Sequence, residues 1–123
     1  MRHGFERALY GLGGGMDYFH HVDEGAGAEH VLRLDGARHL RTGEYFTGLV
    51  ADEAVRFVGT HRDAPFFLYV PFTAPHAPYQ GPDDPHDAPL PPDSPLWKQD
   101  RAPPAVYARS EEHTSELQSR QSI

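Results

Sequence analysis

The sequence predicts an α/β fold in which one helix leads directly into one buried strand. Residues 47–61, TGLVADEAVRFVGTH, carry apolar side chains at helical spacing, and residues 65–72, PFFLYVPF, are continuously apolar without alternation. Such a run is typical of a strand that is covered on both faces. Because a helix that feeds a strand within a few residues is half of a β-α-β crossover, we expect an at least partly parallel sheet.

The helix has recognisable ends. Thr47 is a candidate N-cap, and the breaker Pro65 follows His61 and Arg62 at the other end. A single buried stripe is expected along the helix. Its members are the apolar residues at positions 46, 50, 54, 57 and 58.

A small hairpin is predicted over residues 30–40, HVLRLDGARHL. Asp35 and Gly36 suit the positive φ angles of a type I′ turn. His30 and His39 would then lie on facing strands. An exposed cross-strand pair is favoured there over a metal site.

A glycine run, Gly13-Gly14-Gly15, predicts a loop that crosses close to another backbone. A phosphate cradle is the functional alternative. It is disfavoured because neither G-x-x-x-x-G-K-[ST] nor G-x-G-x-x-G is completed.

Composition narrows the range of functions. The chain has 123 residues, enough for one small domain, and a formal net charge of −7. Lys98 is its single lysine, so neither nucleic acid nor an anionic membrane surface is an expected partner. There is no cysteine, which excludes disulfides and thiolate zinc sites. No apolar run approaches the roughly 18–20 residues of a membrane helix.

The candidate functional residue is His76, in YVPFTAPHAPYQ, residues 69–80. Pro75 and Pro78 bracket it just after the predicted strand, and ligands of open α/β sheets bind beyond the carboxyl ends of the strands. An imidazole held there could bind an anion, transfer a proton or ligate a metal. On the residues alone, a structural or solvent-exposed loop histidine is the more frequent outcome.

Several of these segments together resemble the sulfatases, hydrolases with the alkaline-phosphatase-like fold. The stretch GFERALYGLGGGMDYFHH is similar to a glycine-rich stretch of that family, and TGEYFTGLVADEAVRFVGTHRDAPFFLYVPFTAPHAPYQGP resembles its middle part. The resemblance implies that His76 hydrogen-bonds the sulfate group of a sulfated small molecule or glycan. Tyr79 and Gln80, which follow closely, are further candidates for substrate contact.

The sequence also departs from the family pattern. The C/S-x-P-x-R motif, whose cysteine or serine becomes the formylglycine nucleophile, is absent, and so are matches to the acidic residues that hold the family's calcium ion. The resemblance implies calcium for a parent enzyme, but no residue of this chain is assigned as a metal ligand. Asp83, Asp84 and Asp87 are expected to form a solvated acidic loop and not a replacement metal site.

We accordingly expect residues 1–108 to be an internal piece of a sulfatase catalytic domain, inactive by itself and of low stability. Residues 109–123 are expected to be a non-native or disordered tail, because RSEEHTSELQS resembles the in-frame translation of a sequencing adapter. Compartment and oligomeric state are not predicted.

Two other functions remain open. A phosphoesterase of the same superfold would also present a histidine here, since sulfate and phosphate esters need similar anion-binding groups. Alternatively, the proline-rich residues 75–104, which include PLPPDSP, could be a docking ligand of polyproline type. The segment is otherwise interpreted as an extended loop.

Overall fold

A computed structural model of the protein describes residues 4–24, 29–98, 104–109 and 111. Its sheet has three short strands in the order β1-β2-β3: β1 is Leu9–Gly11, β2 is Leu32–Leu34 and β3 is Ala37–Arg38. Both pairings are antiparallel. The fold is therefore mixed α/β as predicted, but the expectation of a partly parallel sheet is wrong for the described residues.

The predicted hairpin is confirmed. Its two strands, β2 and β3, are joined by Asp35 and Gly36, whose φ angles are 52° and 91°. Two positive φ angles in a row are what a type I′ turn requires. The Asp35 carboxylate also accepts a hydrogen bond from the Ala8 backbone N–H at 2.8 Å, which fixes the turn against the chain before β1.

The expected exposed pair of His30 and His39 is not formed. The backbone N–H of His39 donates to the Leu32 carbonyl, so His39 lies opposite Leu32. His30 instead bridges to Val22, and its ring packs edge-on against His21 at 5.9 Å between centroids. Both ring nitrogens of His30 are buried. The register pairs Arg33 with Arg38 and Leu34 with Ala37, so its continuation places residue 30 opposite residue 41 and not opposite His39.

The helix, α1, spans Phe46–His61. The predicted N-cap is wrong by two residues: the cap position is Tyr45, and Thr47 is buried inside the first turn. No side chain caps the helix. Instead, the Phe46 N–H donates to the Tyr18 carbonyl at 2.8 Å, so a tertiary contact satisfies one of the free N–H groups at the helix start.

Only the N-terminal half of α1 is buried. Its buried residues are Phe46, Thr47, Leu49, Ala51 and Ala54. Val58, predicted in the buried stripe, is 41% exposed. The C-terminal half of α1 therefore carries apolar side chains, among them Val55 and Val58, that no described residue buries.

The predicted buried strand over residues 65–72 is also wrong. These residues form no strand in the structure, and Phe67 and Tyr69 are 75% and 68% exposed. No backbone hydrogen bond joins this stretch to another described residue. The described residues provide no neighbouring strands that could cover this segment.

The core lies between the glycine-containing segment, β2 and the start of α1. Its buried members are Met16, Tyr18, Phe19, Val31, Leu32, Phe46, Leu49 and Ala74. The ring of Tyr18 stacks on Tyr45 at 5.5 Å, and Phe19 contacts the same ring at 5.2 Å. Tyr45 is therefore the aromatic link between the helix start and the residues after the glycine run.

The proline-rich segment lies against the domain through two buried apolar anchors, Leu90 and Trp97. Trp97 ends a short 3-10 helix, Pro95–Trp97, and its indole N–H donates to the Pro91 carbonyl at 3.1 Å. Residues 104–109 are again helical. No helix among the described residues is long and apolar enough to cross a membrane.

Candidate active site

The candidate site is a cavity of about 400 Å³ between the glycine loop and the His76 loop. Its lining residues are Gly13, Gly14, Gly15, Asp23, Glu24, His76, Ala77 and Trp97. The predicted close approach of the glycine run is confirmed, because a Cβ on Gly15 would lie 3.3 Å from the Ala77 carbonyl oxygen. A side chain at this position would require the Ala77 backbone to shift by a few tenths of an ångström, so glycine allows the two loops to approach this closely.

His76 is exposed and borders this cavity. Its Nδ1 lies 2.8 Å from the carbonyl oxygen of Ala77. Since a carbonyl oxygen only accepts, Nδ1 must carry the proton. The neutral ring therefore presents Nε2 as an acceptor, and the protonated ring presents it as a donor. Nε2 makes no hydrogen bond to any described residue.

A hydrogen bond from Tyr18 fixes the backbone of the His76 loop. The Tyr18 hydroxyl donates to the His76 carbonyl at 3.0 Å. Burial raises the pKa of the Tyr18 phenol far above its ordinary value, so the hydroxyl keeps its proton and remains a donor. Pro75 and Pro78, which both follow cis peptide bonds, flank the histidine as expected from the sequence.

A buried carboxylate, Asp17, connects the glycine segment with the residues that follow His76. It accepts the backbone N–H groups of Phe19 and Leu90 at 2.9 Å and of His20 at 3.0 Å. Burial alone would raise the pKa of Asp17, but these donors outweigh it and hold the pKa below the ordinary value. Asp17 is thus an ionised anchor inside the domain.

Gln80 completes this network. The Tyr18 N–H donates to its amide oxygen at 2.8 Å, and its amide nitrogen lies 3.4 Å from the Asp17 carboxylate. The side chain is fully buried. The structure therefore places Gln80 beneath the His76 loop, outside the lining of the cavity.

Tyr79 is likewise buried and does not line the cavity. Its backbone N–H donates to the Leu96 carbonyl at 2.9 Å, and its ring packs against Tyr107 at 5.5 Å. Of the three residues predicted to contact substrate, only His76 is at the cavity. Substrate contact by Tyr79 and Gln80 stays a prediction.

Sequence reasoning assigned no role to the buried anchor Asp17 or to Trp97, Asp23 and Glu24 in the cavity lining. Asp17 was recognisable, because an aspartate that bonds the N–H groups two and three residues later is a common turn former. Trp97 was also recognisable as a large apolar side chain within an otherwise polar, proline-rich stretch. No local pattern indicates that Asp23 and Glu24 reach the same cavity, since that depends on the path of the chain between β1 and β2.

The acidic loop after Gln80 does not form a metal centre in the structure. Asp84 accepts the Gly81 N–H at 3.0 Å and pairs with Arg109 at 2.9 Å, while Asp83 and Asp87 are exposed. Within the described ranges, no group of three or more histidine or acidic side chains is arranged to hold a metal ion. The described residues therefore do not fit the calcium ion that the family resemblance implies.

The structure describes part of the predicted non-native tail. Arg109 reaches Asp84, and Glu111 is exposed and helical. The remaining residues of the range 109–123 lie outside the described residues. The boundary at residue 108 stays a prediction.

Comparison with known proteins agrees with the resemblance seen in the sequence. A comparison with curated proteins gave no match. The family model described as Sulfatase matches residues 1–119, which contain both the glycine loop and the His76 loop. Since this range includes nearly the whole chain, the protein belongs to the sulfatase family.

Proposed function

We propose that this chain supplies the sulfate-binding histidine of a sulfuric ester hydrolase. In this proposal, His76 binds the sulfate group and assists departure of the leaving group. The observation that carries the proposal is the position of His76: the ring is exposed at a cavity, its Nδ1 is fixed by the Ala77 carbonyl, and its Nε2 bonds to no residue in the described part of the chain.

The chemistry follows from this fixed ring. In the imidazolium form, Nε2–H donates to a sulfate oxygen and stabilises its negative charge. As the S–O bond breaks, the same proton passes to the departing oxygen, and the ring is left as the neutral Nδ1–H form already stabilised by Ala77.

The glycine loop adds donors to the same cavity. The backbone N–H groups of Gly13, Gly14 and Gly15 make no hydrogen bond to another described backbone group. Successive free N–H groups form anion-binding concavities in many proteins. We propose that they provide a second set of contacts for sulfate oxygens.

Turnover requires groups that this sequence does not contain. The sequence has no cysteine and no C/S-x-P-x-R motif, and a bound ester that meets no nucleophile does not react. We therefore propose that the nucleophile comes from residues outside these 123 and that the isolated chain binds sulfate esters without hydrolysing them.

Fluorescence of Trp97 offers a direct test. It is the only tryptophan in the chain and lines the cavity. Titration with methyl sulfate at pH 6 should change its fluorescence saturably, and His76→Asn should weaken binding at least about tenfold through loss of a charge-assisted hydrogen bond. His86→Asn, a change at an exposed histidine outside the cavity lining, is the matched control. Equal affinity in both variants would refute the proposal.

A further inference from the structure

The ring of His76 has the geometry of a nucleophile as well as that of a proton donor. Its Nδ1–H is bonded to the Ala77 carbonyl at 2.8 Å, so in the neutral ring the available lone pair belongs to Nε2. Nε2 bonds to no described residue, and the side chain is exposed at the cavity. A nitrogen lone pair that is fixed in direction and open to a ligand can attack an electrophile.

The glycine loop lies directly beside this ring. A Cβ on Gly15 would lie 3.9 Å from His76 Cε1, the ring carbon bonded to both nitrogens, and 3.3 Å from the Ala77 carbonyl oxygen. The N–H groups of Gly13, Gly14 and Gly15 bond to no other described backbone group. The imidazole and these donors therefore lie together in the lining of one cavity.

We propose that His76 is a phosphoryl acceptor, whose Nε2 takes a phosphoryl group from a donor with a good leaving group, namely an acyl phosphate or a phosphoramidate. The inference concerns the neutral ring and does not require sulfate binding. Methyl sulfate is inert towards the same nitrogen because its leaving group is an alkoxide, which is too basic for an imidazole to expel. Carboxylate and ammonia are far better leaving groups.

With phosphoramidate, in its zwitterionic form, the atoms and charges balance in one step. The Nε2 lone pair forms a bond to phosphorus, the P–N bond of the reagent breaks, and ammonia leaves with the protons that its nitrogen already carried. The ring becomes a phosphorylated imidazolium whose Nδ1–H stays bonded to the Ala77 carbonyl, which stabilises this cationic donor. Free N–H groups of the glycine loop would stabilise the charge on the phosphoryl oxygens during the transfer.

His61 provides a comparison within the same chain. Its Nδ1 also lies 2.9 Å from a carbonyl oxygen, that of Phe57, and its side chain is exposed. It ends α1 and does not line the cavity. If a fixed Nδ1 were sufficient, His61 and His76 would react equally, so a faster reaction at His76 measures the contribution of the cavity.

The test incubates the whole chain with phosphoramidate at neutral pH. Mass spectrometry of phosphopeptides gives the rate at each histidine, and phosphorus NMR identifies the modified nitrogen. We expect His76 to react at least about tenfold faster than His61, and at Nε2 alone because Nδ1 is occupied. His76→Asn should remove the fast-reacting site. His86→Asn, at an exposed histidine outside the cavity lining, should retain it.

A second variant tests the wall beside the ring. Gly15→Ala would place a methyl group 3.3 Å from the Ala77 carbonyl oxygen, so the acceptor of the His76 Nδ1–H would have to shift. We expect phosphorylation of His76 to slow several-fold and that of His61 to stay unchanged. Gly48→Ala, at a helix position where a Cβ would meet no atom within 4 Å, is the matched control.

Three results would overturn the inference: equal rates at His76 and His61, a mixture of Nδ1 and Nε2 products at His76, or an unchanged rate at His76 in Gly15→Ala. None of them alters methyl sulfate binding, which Trp97 fluorescence measures separately. Conversely, fast phosphorylation of His76 in a chain that does not bind methyl sulfate would support this inference and refute the proposed function.

Discussion

At the scale of single residues, the site depends on a few buried polar groups that hold the His76 loop in place. The Tyr18 hydroxyl donates to the His76 carbonyl, and the Tyr18 N–H donates to the Gln80 side chain. The Asp17 carboxylate accepts the backbone N–H groups of Phe19, His20 and Leu90. The imidazole itself is exposed. Its position is therefore determined mainly by groups that never touch the cavity.

The Tyr18 hydroxyl can be tested alone. Tyr18→Phe removes one buried hydrogen bond and leaves the His76 carbonyl without its donor, so we expect the free energy of unfolding to fall by about 1 kcal/mol. Urea denaturation measures this change. Tyr10→Phe is the control, because the Tyr10 hydroxyl bonds to no described residue. Equal stability of the two variants would show that the Tyr18–His76 contact contributes nothing.

His21 predicts a loss of stability in mild acid. It is fully buried, its Nε2 donates to the Glu44 carbonyl at 2.9 Å, and its Nδ1 has no partner among the described residues. Burial is the largest effect and lowers the pKa of His21; the hydrogen bond to the Glu44 carbonyl raises it in part, and the smaller effect of His30 lowers it again, so that the pKa lies below the ordinary value. Protonation therefore favours the unfolded chain as pH falls below the ordinary histidine value of about 6.5.

The variant for this test is His21→Asn, because His21 has a φ of 58° and asparagine tolerates that left-handed conformation. We expect the free energy of unfolding of wild type to decrease between pH 7.5 and 5.5, and that decrease to be smaller in His21→Asn. His86→Asn should keep the wild-type slope. If all three proteins show the same pH dependence, His21 is not the responsible group.

At the scale of secondary structure elements, the sequence predicted best where local chemistry decides the conformation. The Asp35-Gly36 turn and the body of α1 were both identified, because turn residues and helical periodicity act over short distances. Thr47 was assigned wrongly as the cap because the helix begins one residue earlier, at Phe46, where the Tyr18 carbonyl accepts the Phe46 N–H. No local pattern could reveal a contact between residues so far apart in the chain.

The segment over residues 65–72 shows the opposite limit of prediction. Its apolar run predicted a strand covered on both faces, but Phe66, Phe67, Leu68 and Tyr69 are all exposed. Pro65 and Pro71 lack N–H donors, which leaves a five-residue stretch between them with free backbone groups. Exposed apolar segments with free backbone groups can pair with other chains in the way that an open sheet edge does.

We therefore expect the isolated chain to associate as its concentration rises, and Phe67→Lys to reduce that association. Sedimentation velocity over a range of concentrations measures it. Leu40→Lys is the control, since Leu40 is 70% exposed but lies outside this segment. A monomer at all concentrations, or an equal effect of both substitutions, would contradict the expectation.

At the scale of the whole molecule, the family could be recognised from the sequence, whereas the arrangement of the site could not. The glycine run and the APHAP loop identified the sulfatase resemblance, and the family comparison agrees. The cavity itself forms because Gly15 meets Ala77 and Trp97 closes the side, contacts that join three distant parts of the chain. Such contacts depend on the tertiary fold, which is why only the structure shows that Trp97, Asp23 and Glu24 lie at the same cavity.

The most direct measurement of the central claim is the mapping of methyl sulfate binding by backbone and histidine-ring NMR. If His76 and the glycine loop form the sulfate site, the signals of the His76 ring and the amides of Gly14, Gly15 and Ala77 should shift together with one saturation curve, and His76→Asn should abolish these shifts. Shifts confined to other surfaces, or unchanged by loss of the imidazole, would contradict the assignment of this cavity to the sulfate group.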